Sequence, residues 1–159
     1  MKTVVINNLD FALKEQVISD VLPMSSFIRL SELLNAEAIH AAKVHFQLSG
    51  HSKSFSLPSL HLQLEVALPM ICQRCLEAIE VPLSPNFDYV ISDIEPIEDE
   101  LNDELDWMEA SQSMDVMELI EDELLIALPI APLHTVECQA LQWTSGEKPN
   151  PFAVLKGKF

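Results

Sequence analysis

The stretch "LHLQLEVAL", Leu60 to Leu68, constrains the fold of this chain more than any other. Leu60, Leu62, Leu64, Val66 and Leu68 fall on one side of an extended backbone, and His61, Gln63 and Glu65 on the other. Successive side chains of a strand point to opposite faces, so this alternation describes a strand with one dry face and one wet face. The period recurs in "KVHFQL" through Val44, Phe46 and Leu48. It continues in "IEVPL" and "FDYVI" through Ile79, Val81, Leu83, then Phe87, Tyr89 and Ile91. Short links between such stretches suit antiparallel strands in a meander packed on a core.

Two helices are expected to cover the apolar face. One lies near the start, in "DFALKEQVISDVL" or "RLSELLNAEA", where Leu30, Leu33 and Leu34 recur one turn apart. The other is "DVMELIEDELLIAL", whose Val116, Met117, Ile120, Leu124, Ala127 and Leu128 form one broad stripe. Asp115 followed by Glu118 resembles a capping box, and Pro129 ends the helix. The expected fold class is α+β: an antiparallel sheet meander with a few packed helices and a long acidic loop. A length of 159 residues without internal repeats reads as a single domain over 1–159.

Charge narrows the function. Nine Lys and Arg against 25 Asp and Glu leave a net of −16. Fourteen of those acids fall between Asp93 and Glu123, and no Lys or Arg occurs from Cys75 through Glu147. Nucleic-acid affinity comes largely from cations that release counterions from phosphates, so bare RNA, DNA and anionic membranes should be repelled. A strongly electrostatic partner is expected to be a basic protein. The segment of about 93–113, which includes "DIEPIEDELNDELDW", reads as a long mobile loop. It is either a solvated, self-repelling connection or a docking arm. In the second case Glu98, Asp99, Glu100, Asp103 and Glu104 supply charge, and Trp107 supplies contact area.

No window reaches the roughly 18 uncharged apolar residues of a membrane span. The N-terminal "MKTVVINNLDFALKEQ" lacks the sustained apolar core of a secretory leader. A cytoplasmic location with reduced thiols is therefore expected for the three cysteines.

Two of them, Cys72 and Cys75, form a Cys-x-x-Cys between strand-like stretches. Redox motifs of this spacing rely on a helix N-terminus to depress the first thiol's pKa, and no helix pattern starts here. Zinc takes four soft or borderline ligands, commonly two from a knuckle and two from a distant segment. His134 and Cys138 supply the second pair if the "LPIAPLHTVEC" turn packs beside the first. The alternative is that the hairpin cysteines only pack. No Gly-rich phosphate loop, Gly-x-Ser-x-Gly or paired-histidine motif points to an enzyme. The tail, 146–159, reads as a docked terminal segment or a partner epitope. Asn150 is its N-cap, Pro151 its first helical position and Phe152 its leading apolar residue, with Lys148, Lys156 and Lys158 alongside.

Three segments taken together, "CQRCLEAIEVPL", "ELIEDELLIALPIAPLH" with its following Cys, and "KPNPFAVL", resemble the YceD family of bacterial large ribosomal RNA subunit accumulation proteins. The resemblance covers roughly the C-terminal two-thirds. It implies a cytoplasmic, non-catalytic factor for synthesis, processing or stability of 23S (large-subunit) ribosomal RNA. The family's Cys-x-Arg-Cys segment matches Cys72, Arg74 and Cys75. Many relatives carry further cysteines after the Leu-Pro turn, where this chain has His134 and Cys138, and that implies a structural zinc ion. Combined with the charge, the expected partner is a basic ribosomal protein or large-subunit assembly factor, with ribosomal RNA reached indirectly. The alternatives are direct RNA binding through Arg74, Lys148, Lys156 and Lys158, a thiol oxidoreductase, and a phosphate-mimicking inhibitor.

Overall fold

The computed structural model describes residues 4–94, 105–142 and 146. The chain runs β1 (Val5–Ile6), α1 (Asn8–Leu13), β2 (Val17–Pro23), α2 (Ile28–Ser31), β3 (Lys43–His51) and β4 (Ser59–Ile71). It continues through β5 (Ala78–Leu83), β6 (Asn86–Ile91), β7 (Leu105–Met108), β8 (Met114–Asp115) and α3 (Val116–Ala127). Strands and helices combine in one α+β arrangement, as the alternating and helical patterns predict.

The main sheet has the order β2-β3-β4-β6-β7, with β5 also on β4. The long β4 organises it. Its first half pairs with β6, from Ser59↔Val90 to Gln63↔Asn86, and its second half with β5, from Val66↔Leu83 to Ile71↔Ala78. β5 and β6 therefore follow one another along one side of β4, and β3 occupies the other side. Among the described residues β5 pairs only with β4, so Pro82 costs no ladder bond on the other side of that strand. The alternation seen in sequence is realised: Leu60, Leu62, Leu64, Val66, Leu68, Val44, Phe46 and Leu48 are all buried.

Helix α3 lies on that dry face, with Val116, Ile120 and Leu124 fully buried. Its start is fixed by Asp115, whose Oδ1 accepts the N–H groups of Met117 (2.8 Å) and Glu118 (3.4 Å). Leu128 turns extended before Pro129 and ends the helix. Helix α1 packs against β3 at Gly50. A Cβ there would meet the Phe11 carbonyl oxygen at 2.5 Å and Ala12 Cα at 2.8 Å, so only glycine admits the helix this closely. Asn8, itself buried, ties α1 to the segment between β7 and β8. Its Nδ2 donates to Glu109 O (2.9 Å) and its Oδ1 accepts from Ser111 N (2.8 Å).

Three expectations are corrected. Of the first helical candidate, which begins at Asp10, only Asp10–Leu13 is helix, as the end of α1. After a turn in which Glu15 takes φ 51°, Val17–Pro23 is strand β2, because β-branched Val17, Ile18 and Val21 gain a partner in β3. The second candidate forms one helical turn, Ile28–Ser31, with Leu30 and Leu34 buried and Leu33 61% exposed. Finally, the stretch expected to be a loop over about 93–113 contains β7, which pairs with β6 in parallel, from Asp88↔Leu105 to Ile91↔Met108. The sheet is thus not a pure antiparallel meander.

Candidate metal centre

β4 ends at Ile71 and the chain reverses through Cys72–Glu77 into β5. Cys72 N–H donates to Glu77 O and Leu76 N–H to Cys72 O, both at 2.9 Å. Leu76 takes φ 61° to close the turn. Arg74 N–H points at Cys72 Sγ, 3.4 Å away. This is a tight loop between two strands, and among the described residues no helix N-terminus lies beside either thiol.

The second half arrives from the other end of the fold. Beyond α3, the Pro129–Pro132 turn brings the chain beside the first loop, where Gln73 N–H donates to Pro132 O at 2.9 Å. Farther along, Leu141 N–H donates to Arg74 O at 3.3 Å. These bonds place His134 and Cys138 against the knuckle. The donor atoms of Cys72, Cys75, His134 and Cys138 all lie within 4.8 Å of one another. Cys72 Sγ is 3.7 Å from Cys138 Sγ, and Cys75 Sγ is 3.4 Å from His134 Nδ1.

Those distances fit a tetrahedral ion. Bonds of about 2.3 Å to sulfur and about 2.0–2.1 Å to nitrogen give edges of about 3.8 Å between sulfurs and about 3.6 Å from sulfur to nitrogen. The three cysteines are free thiols. Cys72 is fully buried and the other three side chains are half-buried. Burial pushes the Cys72 thiol up, but the N–H groups of Cys75, Arg74 and His134 with the His134 ring outweigh it, bringing it down to about 5. Burial and the neighbouring Cys72 and Cys75 sulfurs push Cys138 up to about 11. One thiolate is thus favoured and an adjacent thiol opposed, a crowding that a bound dication relieves. Four protein donors leave a tetrahedral ion no open position, the arrangement of a structural site.

The remaining candidates divide clearly. Arg74 sits on the knuckle, half-buried, and among the described residues no carboxylate pairs with it. Trp107 belongs to β7 and its Nε1–H donates to Ser92 O at 3.1 Å, so its ring helps hold the sheet edge. Glu98, Asp99, Glu100, Asp103, Glu104, Lys148, Asn150, Pro151 and Phe152 lie outside the described residues. His61 pairs with Asp88 at 2.6 Å on the wet face of the sheet, away from the cysteines. Sequence reasoning missed the buried pair Tyr89–Glu123, in which the tyrosine hydroxyl donates to the carboxylate between β6 and α3. Burial raises the Glu123 carboxyl, aided by Asp106 and Asp122 and opposed by the Tyr89 bond. The only hint in sequence was an acid on the apolar side of the α3 stripe.

No helix among the described residues is long and apolar enough to cross a membrane. No solved structure matches the chain. The protein from Haemophilus influenzae named large ribosomal RNA subunit accumulation protein YceD is 30% identical over 106 residues. That stretch covers 58% of this chain and 60% of the relative's length. The family profile described as large ribosomal RNA subunit accumulation protein YceD matches residues 60–157, a span that includes β4, α3 and all four residues of the Cys/His cluster. The chain belongs to the YceD family.

Proposed function

We propose that this protein is a cytoplasmic, non-catalytic factor in accumulation of large-subunit ribosomal RNA, acting as an acidic adaptor for a basic ribosomal protein or assembly factor. The process comes from the family and from the name of the Haemophilus influenzae relative. The adaptor role rests on one observation: within the family-matched span, the chain from Cys75 through Glu147 contains no Lys or Arg. A surface with such a field attracts cationic polypeptide and repels phosphate. In this reading the Cys72, Cys75, His134 and Cys138 set holds a structural Zn²⁺. The ion supplies a cross-link between the β4–β5 turn and the segment after α3, and no reaction.

The test is affinity capture of the full chain from cell lysate, with and without nuclease, over a range of salt. A basic large-subunit protein or assembly factor retained after nuclease and released by salt is the expected result. Association that vanishes with nuclease would overturn the adaptor role. The cation Arg74 on the knuckle favours direct RNA contact as the second reading. Under it, Arg74→Glu abolishes capture of RNA while the fold survives.

A further inference from the structure

The four donors of the Cys/His cluster do not touch alike. Cys72 Sγ lies against Cys138 Sγ at 3.7 Å, whereas Cys75 Sγ faces His134 Nδ1 at 3.4 Å. The sulfur pair joins the β4–β5 turn to the segment after α3, across 66 positions of sequence. Both are free thiols, Cys72 wholly buried and Cys138 half-buried. Two backbone bonds flank them, Gln73 N–H to Pro132 O at 2.9 Å and Leu141 N–H to Arg74 O at 3.3 Å. Neither involves a sulfur or a metal, so the backbone itself helps hold the two segments side by side.

We propose that Cys72 and Cys138 form a reversible disulfide with hydrogen peroxide as the oxidant, and that its formation expels the metal ion. The expulsion rests on the zinc reading above; the disulfide rests on the sulfur contact. Thiols that ligate a dication are ionised, so exposure decides which sulfur of the pair meets peroxide first, and that is Cys138. Its sulfur attacks one peroxide oxygen, the O–O bond breaks, and the departing hydroxide takes a proton to become water. Cys72 then attacks the Cys138 sulfur of the resulting sulfenic acid. The S–S bond forms, the S–O bond breaks, and a second hydroxide leaves and is protonated. In total two thiolates, one hydrogen peroxide and two protons give one disulfide and two waters. The sulfurs lose two electrons and the peroxide gains them. Cys75 is half-buried too, but the partner it faces is the His134 ring, which offers no sulfur. Oxidation leaves Cys75 and His134 alone, half of a tetrahedral set and too few to retain zinc. The new bond ties the same two segments that the ion would tie, so this corner changes its cross-link without coming apart. Disulfides of cytoplasmic proteins are commonly transient and redox-sensing, in keeping with the proposed location.

The experiment treats the full chain, in zinc-loaded and in reduced metal-free form, with hydrogen peroxide. A chromogenic chelator reads released zinc, and mass spectrometry of alkylated, unreduced peptides reads the linkage. A peptide pair joined through Cys72 and Cys138 is expected in both forms, with one zinc ion released per disulfide in the loaded form. Dithiothreitol should reverse the bond and restore zinc uptake. Cys75→Ser should still form the Cys72–Cys138 linkage. A disulfide between Cys72 and Cys75, one between two copies, or irreversible oxidation of Cys138 without any linkage overturns the proposal and leaves the zinc reading standing. So does a Cys72–Cys138 bond that forms while zinc stays bound. A chain that takes up no zinc yet forms the linkage upholds the disulfide and refutes the zinc reading instead.

Discussion

Removing metal from the Cys72, Cys75, His134 and Cys138 centre should loosen one corner of the fold and leave the sheet standing. The buried core runs through β3, β4, β6, α1 and α3, and Cys72, though buried, is not part of that cluster. Small zinc domains lack such a core and unfold without their ion. A Zn²⁺ ion held by these four donors would instead contribute as a ligand bound to the native state. At free zinc a thousand times the dissociation constant, that contribution is about 4 kcal/mol. For a chain of this size each kcal/mol moves the transition by about 2–4 °C, so zinc excess should raise Tm by about 8–16 °C over chelator. Scanning calorimetry reads that shift, and far-UV circular dichroism in chelator should keep its sheet signal. Cys138→Ser removes a donor from the segment after α3 and should abolish most of the shift. The reasoning is refuted if chelator leaves Tm unchanged, if Cys138→Ser responds to zinc like the native chain, or if chelator collapses the whole sheet.

Other predictions follow from the same geometry. Gly50→Ala sets a methyl 2.5 Å from the Phe11 carbonyl and should cost about 1–3 kcal/mol in urea denaturation, toward the upper end because backbone must move. Leu124→Ala empties a fully buried site under α3 and should cost about 2–5 kcal/mol by the same measurement. Folding raises the Glu123 carboxyl above its ordinary 4.5, so its favourable contribution is complete below that value and fades as pH rises through the folded one. The stability of Glu123→Gln relative to the native chain should therefore increase as pH climbs from about 4.5 toward neutrality, and a flat or falling difference contradicts this. Zinc affinity should drop in acid, because a thiol must shed its proton to bind the ion, and titration calorimetry in buffers of different ionisation enthalpy should show proton release from Cys138.

Much of this was legible in sequence, for definite physical reasons. A strand buried on one face must alternate, so Leu60 through Leu68 and Val44 through Leu48 announced β4 and β3. A helix on a sheet must carry a stripe and a cap, so Asp115 and Val116 through Leu128 announced α3. The clustering of Cys72, Cys75, His134 and Cys138 was legible because few residue types suit a soft metal and the chain has only three cysteines. Edge elements were not legible. Val17–Pro23 has mixed exposure and no clean alternation, and it becomes a strand because β3 offers it a partner. Leu105–Met108 is four residues beside dense acid, and its pairing with β6 is a tertiary event that no local pattern encodes. The Tyr89–Glu123 bond was hidden for a similar reason, since 34 residues separate its partners.

Paired titrations at physiological ionic strength measure directly what the acidic surface attracts. The purified protein is titrated against protein-free large-subunit ribosomal RNA and, separately, against the basic large-subunit protein or assembly factor recovered by capture. Saturable binding to the polypeptide that weakens steeply with added salt, and no measurable binding to the RNA, is the predicted result. Tight binding to the bare RNA, with the basic protein ignored, would contradict it.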